Sequence, residues 1–187
     1  MKRILTTLQG KAVPTLLSVA LLLTGVLSID FIKSLQGDAR VINYTGIVRG
    51  ATQRLVKKEL NHLSDDTLIA RLDGILSGLS ESSDELDLIR LPSAEFQELL
   101  AKMKFEWAEI KAEIVRYRNG GSGDALLQLS EEYFALADRT VLAAELFTEE
   151  SVQDAKNALL YMNLAFIFLA GLSALSAFYH EKRRKRL

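Results

Sequence analysis

The sequence predicts an all-α protein: an antiparallel up-down-up-down four-helix bundle flanked by two transmembrane helices. Three observations predict it. Two long uncharged apolar runs lie near the two ends, at 12–28 and 158–179. Between them, apolar residues recur at alternating spacings of three and four, the period of a packed helix face, and no period-two run of strand length occurs. Breakers are few: prolines stand only at Pro14 and Pro92, and glycines cluster at 120, 121 and 123.

The first apolar run, AVPTLLSVALLLTGVLS, continues past Asp30 to Phe31 and Ile32. A bilayer crossing needs about 20 apolar residues, and 12–32 supplies them. Pro14 stands where a helix tolerates proline best, near its start. A cleaved signal peptide is the alternative, because a basic segment precedes the run. Against it, the run is long and no small-x-small cleavage site follows. Asp30 is expected in the headgroup region. The second run, 158–179, carries no charge over 22 residues. Its small residues four apart, Ala170/Ala174 and Ser173/Ala177, would permit close helix packing.

Charge is segregated although the net is only -1. Lys2, Arg3 and Lys11 precede the first run, and Lys-Arg-Arg-Lys-Arg follows the second at 182–186. Residues 33–157 carry 15 Lys and Arg against 22 Asp and Glu, a net of -7. Basic flanks stay in the cytoplasm. The expected location is therefore the cell membrane, with two passes. The tails at 1–11 and 180–187 are cytoplasmic and the domain at 33–157 is extracytoplasmic. The 182–186 cluster would also meet anionic lipid of the bilayer.

Within the middle, the first helix is expected to run on from the membrane to about Leu63. It carries two stripes. Val41, Thr45, Val48, Thr52 and Leu55 suit the bundle's own core. Ile42, Gly46, Arg49, Gln53, Val56, Leu60 and Leu63 form a second seam with polar residues at its centre. Ser64-Asp65-Asp66 offers a cap for the second helix, whose apolar face is Leu68, Ile69, Leu72, Ile75, Leu76 and Leu79. Residues 80–92 (SESSDELDLIRLP) read as an irregular connection. Ser93 opens the third helix, with Phe96, Leu100, Met103, Trp107, Ile110, Ile114 and Tyr117 as core. The glycines at 120–123 end it. Asp124 is expected to cap the fourth helix, whose seam is Leu126, Leu129, Tyr133, Leu136, Thr140, Ala143 and Phe147. No breaker separates that helix from the second apolar run.

Composition narrows function. The chain has no cysteine, which removes disulfides, thiolate metal sites and a cysteine nucleophile. His62 and His180 lie on opposite sides of the second run and are read as solvent-facing. No metal site and no cofactor is expected. No phosphate-binding glycine loop or nucleophile elbow is present. The pairs Asp65/Asp66, Glu131/Glu132 and Glu149/Glu150 are sequence neighbours, and helix neighbours point about 100° apart, so they do not converge as an acid–base pair. No enzyme is expected within these residues, and no nucleic-acid partner.

Arg49 remains, an always-charged residue at an apolar seam position. If two bundles pair through their first helices about a two-fold axis, a central residue meets its own copy. Two guanidiniums there would repel. A small planar anion between them would accept hydrogen bonds from both. Gly46 leaves space, and Asn43 and Gln53 add neutral hydrogen-bonding groups. The candidate ligand-binding residues are therefore Arg49, Gly46, Asn43 and Gln53. The equal alternative is an ion pair within one chain, from Arg49 to Asp138 or Glu145.

Asp38-Ala39, Ile42-Asn43, Gly46, Arg49 and Arg54-Leu55 resemble the box in the sensory modules of bacterial nitrate/nitrite sensor kinases and type IV pilus chemotaxis-type transducers. The form Asn43-Tyr44-Thr45-Gly46 is similar to sensor regions of membrane diguanylate cyclases. The resemblance implies a periplasmic four-helix bundle between two membrane helices, working as a homodimer. It also implies a ligand on the dimer axis held by Arg49 and Gly46. Within the box this chain has Ile47-Val48-Arg49-Gly50-Ala51-Thr52 where the nitrate sensors have Ser-Leu-Arg-Met-Gln-Ser.

The expected function is a membrane-bound extracytoplasmic ligand sensor, the input module of a transmembrane signalling system of the two-component or chemoreceptor kind. The alternative is a non-sensing membrane subunit that assembles with a partner membrane protein. The sequence ends eight residues after the second run. A cytoplasmic output domain or a separate output protein is expected to carry the signal onward.

Overall fold

The computed structural model describes residues 2–184, with side chains from Thr15 onward except at 176, 180, 183 and 184. The side chains of Lys2, Arg3, Lys11, Pro14 and His180 lie outside the described ones, and so do residues 185–187 of the basic tail. The described chain is all-helical: α1 (Lys2–Leu60), α2 (Asp66–Glu81), α3 (Ala94–Arg118) and α4 (Gly123–Arg184). It divides into two compact units, one of Met1–Lys33 with Ser151–Leu187 and one of Ser34–Glu150.

The first unit holds the two apolar runs. Their windows reach mean hydropathies of 2.1 and 2.0, and neither window is buried inside the protein. Leu22 is 71% exposed and Phe168 66% exposed. A core helix of a soluble domain would bury such side chains; these are long and apolar enough to cross a membrane. The few polar groups bond back to their own helix. Thr24 Oγ1 donates to the Ala20 carbonyl and Ser28 Oγ to the Thr24 carbonyl, both at 2.8 Å, and Asn163 Nδ2 donates to the Leu159 carbonyl at 2.9 Å. That is how a hydroxyl or amide is satisfied without water.

The second unit is built on the apolar stripes. Val41, Val48 and Leu55 of α1 are fully buried, as are Leu72 and Leu79 of α2 and Phe96, Met103 and Ile110 of α3. Leu126 and Tyr133 of α4 join them. Each large aliphatic removed from water contributes about 1.5–3 kcal/mol. The helix ends follow local chemistry. The Asp65 carboxylate accepts from the Leu68 amide at 3.0 Å and the Ser93 hydroxyl from the Phe96 amide at 3.3 Å, each capping its helix.

Three details differ from the sequence reading. First, α1 ends at Leu60 and not near Leu63. His62 adopts a left-handed φ of 58°, and the Leu63 amide returns to the Lys58 carbonyl at 2.9 Å. Leu63 is 58% exposed instead of continuing the seam, and exposed His62 stacks on Tyr117 at 5.8 Å. Second, Ser122 caps α4: its hydroxyl accepts from the Asp124 amide at 3.2 Å, so Asp124 lies inside the first turn. Third, the 82–93 connection is ordered. Ser83 and Leu88 exchange backbone hydrogen bonds at 2.9 and 2.8 Å, and Leu88 and Leu91 enter the core.

Polar contacts tie the helices of this unit. Glu59 and Asp66 both bind Arg118, Asp73 binds Trp107 and Lys111, and Arg40 binds Asp87.

Candidate functional site

The four sequence-derived residues are not in one environment. Arg49 and Gln53 point to α4. Arg49 forms an ion pair with Asp138, and its guanidinium carbon lies 5.5 Å from the centroid of the Phe134 ring. Gln53 Nε2 donates to the Ser130 carbonyl at 2.7 Å. Of the two alternatives the sequence left equal, the chain on its own holds the ion pair, and the partner is Asp138. Asn43 is exposed and its side chain makes no hydrogen bond among the described residues.

Gly46 is half-buried, and a Cβ there would meet nothing within 4 Å; the same is true of exposed Gly50. Glycine inside a helix costs about 1 kcal/mol relative to alanine. No close approach within this chain requires it at 46 or 50. The polar centre of the seam is therefore an open surface of α1 and α4, partly wet: the Arg49 side chain is 34% exposed and that of Asp138 60%. An ion pair so exposed contributes about 0–1 kcal/mol. It is held lightly, and the guanidinium keeps N–H groups that Asp138 does not use.

Phe134 and Ser130 were missed by the sequence reading, which sought charged partners. Phe134 stands one turn before Asp138 on the same face, and that spacing was the available signal.

Directly beneath lies a polar layer. Thr52 Oγ1, Ser130 Oγ and Tyr133 Oη are buried and meet no hydrogen-bond partner. Burial holds the Tyr133 phenol above its ordinary range, and the nearby Thr52 hydroxyl pulls it partly back without reaching hydrogen-bond geometry. By contrast, Thr45 and Thr140 bond to the carbonyls of Val41 and Leu136, both at 2.8 Å.

Asp38 is 3% exposed, and burial raises its carboxyl above the ordinary carboxylate value. The folded form therefore holds a proton that the unfolded form has released, in the window between the unfolded and folded values. The cost of ionised Asp38 is complete above that window and vanishes below it. Asp38→Asn is expected to raise the melting temperature at neutral pH. The gain should shrink as pH falls through the folded-state value and be gone below the ordinary carboxylate range. Thermal melts of both proteins across acidic to neutral pH check this.

No family model matches the chain, and no curated protein matches it.

Proposed function

We propose that the chain is a two-pass membrane input module whose extracytoplasmic unit is an up-down-up-down bundle that binds a small anion. The observation that carries this reading is helix continuity. Arg49 lies on α1 and Asp138 on α4, and each helix is unbroken in its hydrogen bonding from its apolar run to that residue. The contacts Arg49–Asp138 and Gln53–Ser130 pair rising numbers on α1 with falling numbers on α4, which supports the antiparallel arrangement. Asp66–Arg118 and Asp73–Lys111 do the same for α2 and α3.

In this reading an anion takes Arg49 from Asp138. The ion pair between the two long helices is then lost, and their preferred relation changes. A ligand shifts states only by binding them unequally, and competition for one guanidinium supplies the inequality. A second copy of the chain, paired through the open surface around Gly46, would bring a second Arg49 to the same anion. The resemblance of the box residues to nitrate-sensor modules and the basic flanks of the apolar runs support the same topology, with both termini cytoplasmic.

The test is calorimetric titration of the full chain in detergent micelles with nitrate, nitrite, sulfate and formate. Saturable binding of one anion by the wild type, lost in Arg49→Ala, is the expected result. Absence of saturable heat from all four sinks the reading and favours a non-sensing membrane subunit.

A further inference from the structure

A different part of the same unit holds a cavity. It has a volume of about 300 Å³ and opens between α1, α2 and the 82–93 connection. None of Gly46, Arg49 and Gln53 lines it. Its walls are Tyr44 from α1, Arg71, Gly74 and Ile75 from α2, and Glu85 and Leu86 from the connection.

Two residues of opposite charge line this space. Arg71 and Glu85 are both exposed, and among the described residues neither has an ion pair or a hydrogen bond. They share a cavity yet do not close on each other. The backbone that carries them explains why. Arg71 is mid-helix. Glu85 sits in a turn clamped by the reciprocal Ser83–Leu88 bonds, by the Leu86 amide donating to Ser83 Oγ at 3.3 Å, and by Arg40 on Asp87 at 2.8 Å. Ser82 and Asp87 hold left-handed φ angles of 74° and 54°. Non-glycine residues adopt these at a cost of about 1–3 kcal/mol each, and such conformations concentrate at ligand clamps. Buried Leu88 and Leu91 hold the turn in place.

The rest of the wall is Ala70, Ile75, Leu86 and the open face of Gly74, with the Ser83 hydroxyl and the Tyr44 phenol as its polar groups. Ile75 is 2% exposed and Leu86 is half-buried. Tyr44 lines the same cavity. A Cβ at Gly74 would meet nothing within 4 Å, so the α2 side is recessed. A cavity of this size is at the lower end for ligand pockets, which restricts the occupant to a small molecule. A simple anion at Arg71 would face the Glu85 carboxylate, and a simple cation at Glu85 would face the guanidinium. A ligand bearing both charges satisfies both.

We infer that this cavity binds a free α-amino acid with an apolar side chain. Its carboxylate lies on Arg71, its ammonium on Glu85, and its side chain lies against Tyr44, Ile75 and Leu86. The site stands independently of the anion reading, since it uses neither Arg49 nor a second copy.

The test is calorimetric titration of the full chain in detergent micelles with L-leucine and L-phenylalanine. Isocaproate, which lacks the amine, and isoamylamine, which lacks the carboxylate, serve as comparisons. The expected result is saturable binding of an amino acid, with both truncated analogues weaker by about threefold or more, since each loses one of two charge-assisted contacts at an exposed site. Arg71→Ala and Glu85→Gln should each weaken it similarly, while Arg49→Ala should leave it unchanged. The inference is overturned by an absence of saturable heat from both amino acids, or by isocaproate or isoamylamine binding as tightly as leucine. Full affinity in either cavity variant would also overturn it. The analogue series on the wild-type chain stands even where a variant fails to fold.

Discussion

Arg118→Met is expected to destabilise the fold by about 3–5 kcal/mol, because it leaves a buried carboxylate without its counter-charge. Glu59 is 1% exposed. Arg118 grips it with two bonds, Nε to Oε2 at 2.9 Å and a terminal nitrogen to Oε1 at 2.6 Å. The other terminal nitrogen reaches Asp66 at 2.8 Å. One guanidinium thus joins the last turn of α1, the first turn of α2 and the last turn of α3. The Glu59 bond first and the Asp66 bond second raise the guanidinium above its ordinary range. Its pKa is raised by folding, so its contribution is complete at every pH below the unfolded value, and neutral conditions do not titrate it. The double variant Glu59→Met with Arg118→Met removes both charges and should recover most of the loss. Thermal unfolding followed by far-UV circular dichroism measures all three. A single variant as stable as the wild type would contradict the account.

Trp107→Ala is the second large effect, about 3–5 kcal/mol for a buried aromatic. Trp107 is 3% exposed and makes three different contacts. Its Nε1 donates to Asp73 of α2 at 2.7 Å, and its ring lies 6.4 Å from that of Tyr133 on α4, tilted by 50°. Lys111 Nζ sits 5.7 Å over its ring and also binds Asp73 at 2.6 Å. Burial alone would raise the Asp73 carboxyl, but the bonds from Lys111 and Trp107 outweigh it and hold it below the ordinary value. Trp107→Phe keeps most of the ring and leaves Asp73 with Lys111, so it should cost only about 1.5–3 kcal/mol, the worth of a hydrogen bond to a charged group. The contribution of Asp73 is present above the unfolded carboxylate value and is lost as pH falls through the depressed folded value. The difference between wild type and Trp107→Phe should therefore narrow in acid. Equal stability of the Ala and Phe variants would rule out a packing role.

Much of the fold was legible because helical cores repeat. The Phe96-to-Ile114 series could be placed from spacing, and it is buried as that spacing requires. Caps were legible where a single short polar residue precedes an apolar run, as at Ser93. At Ser122-Gly123-Asp124 two side chains could serve, and the choice rested on backbone geometry that composition does not carry. The end of α1 was misplaced because Leu63 keeps the apolar period. The left-handed turn at His62 interrupts it. The ordered turn at 82–88 was hidden by its acidic composition, since a two-residue bridge leaves no period.

For the candidate site, spacing identified Arg49 as out of place and offered Asp138 among its partners. It could not choose between a partner in the same chain and one in a second copy, because both lie at helical spacing. The three buried hydroxyls were invisible for a different reason. Each is an ordinary core residue by type, and its meaning comes from what fails to surround it.

Those hydroxyls give the junction of α1 and α4 a particular softness. Where an apolar seam parts, every group that meets water loses by it. Where Thr52, Ser130 and Tyr133 part, each hydroxyl gains the hydrogen bond it lacks when closed. An unsatisfied buried polar group costs about 1–3 kcal/mol, and opening returns that cost against the loss of apolar burial at Tyr133 and its neighbours. Local opening should therefore be easier along this seam than between α2 and α3, where Leu72, Leu79 and Phe96 gain nothing from water. Amide hydrogens near Thr52 and Ser130 should accordingly exchange with solvent sooner than those near Leu76 and Met103. The two helices that run into the apolar segments are thus joined, at this layer, by side chains that water can satisfy.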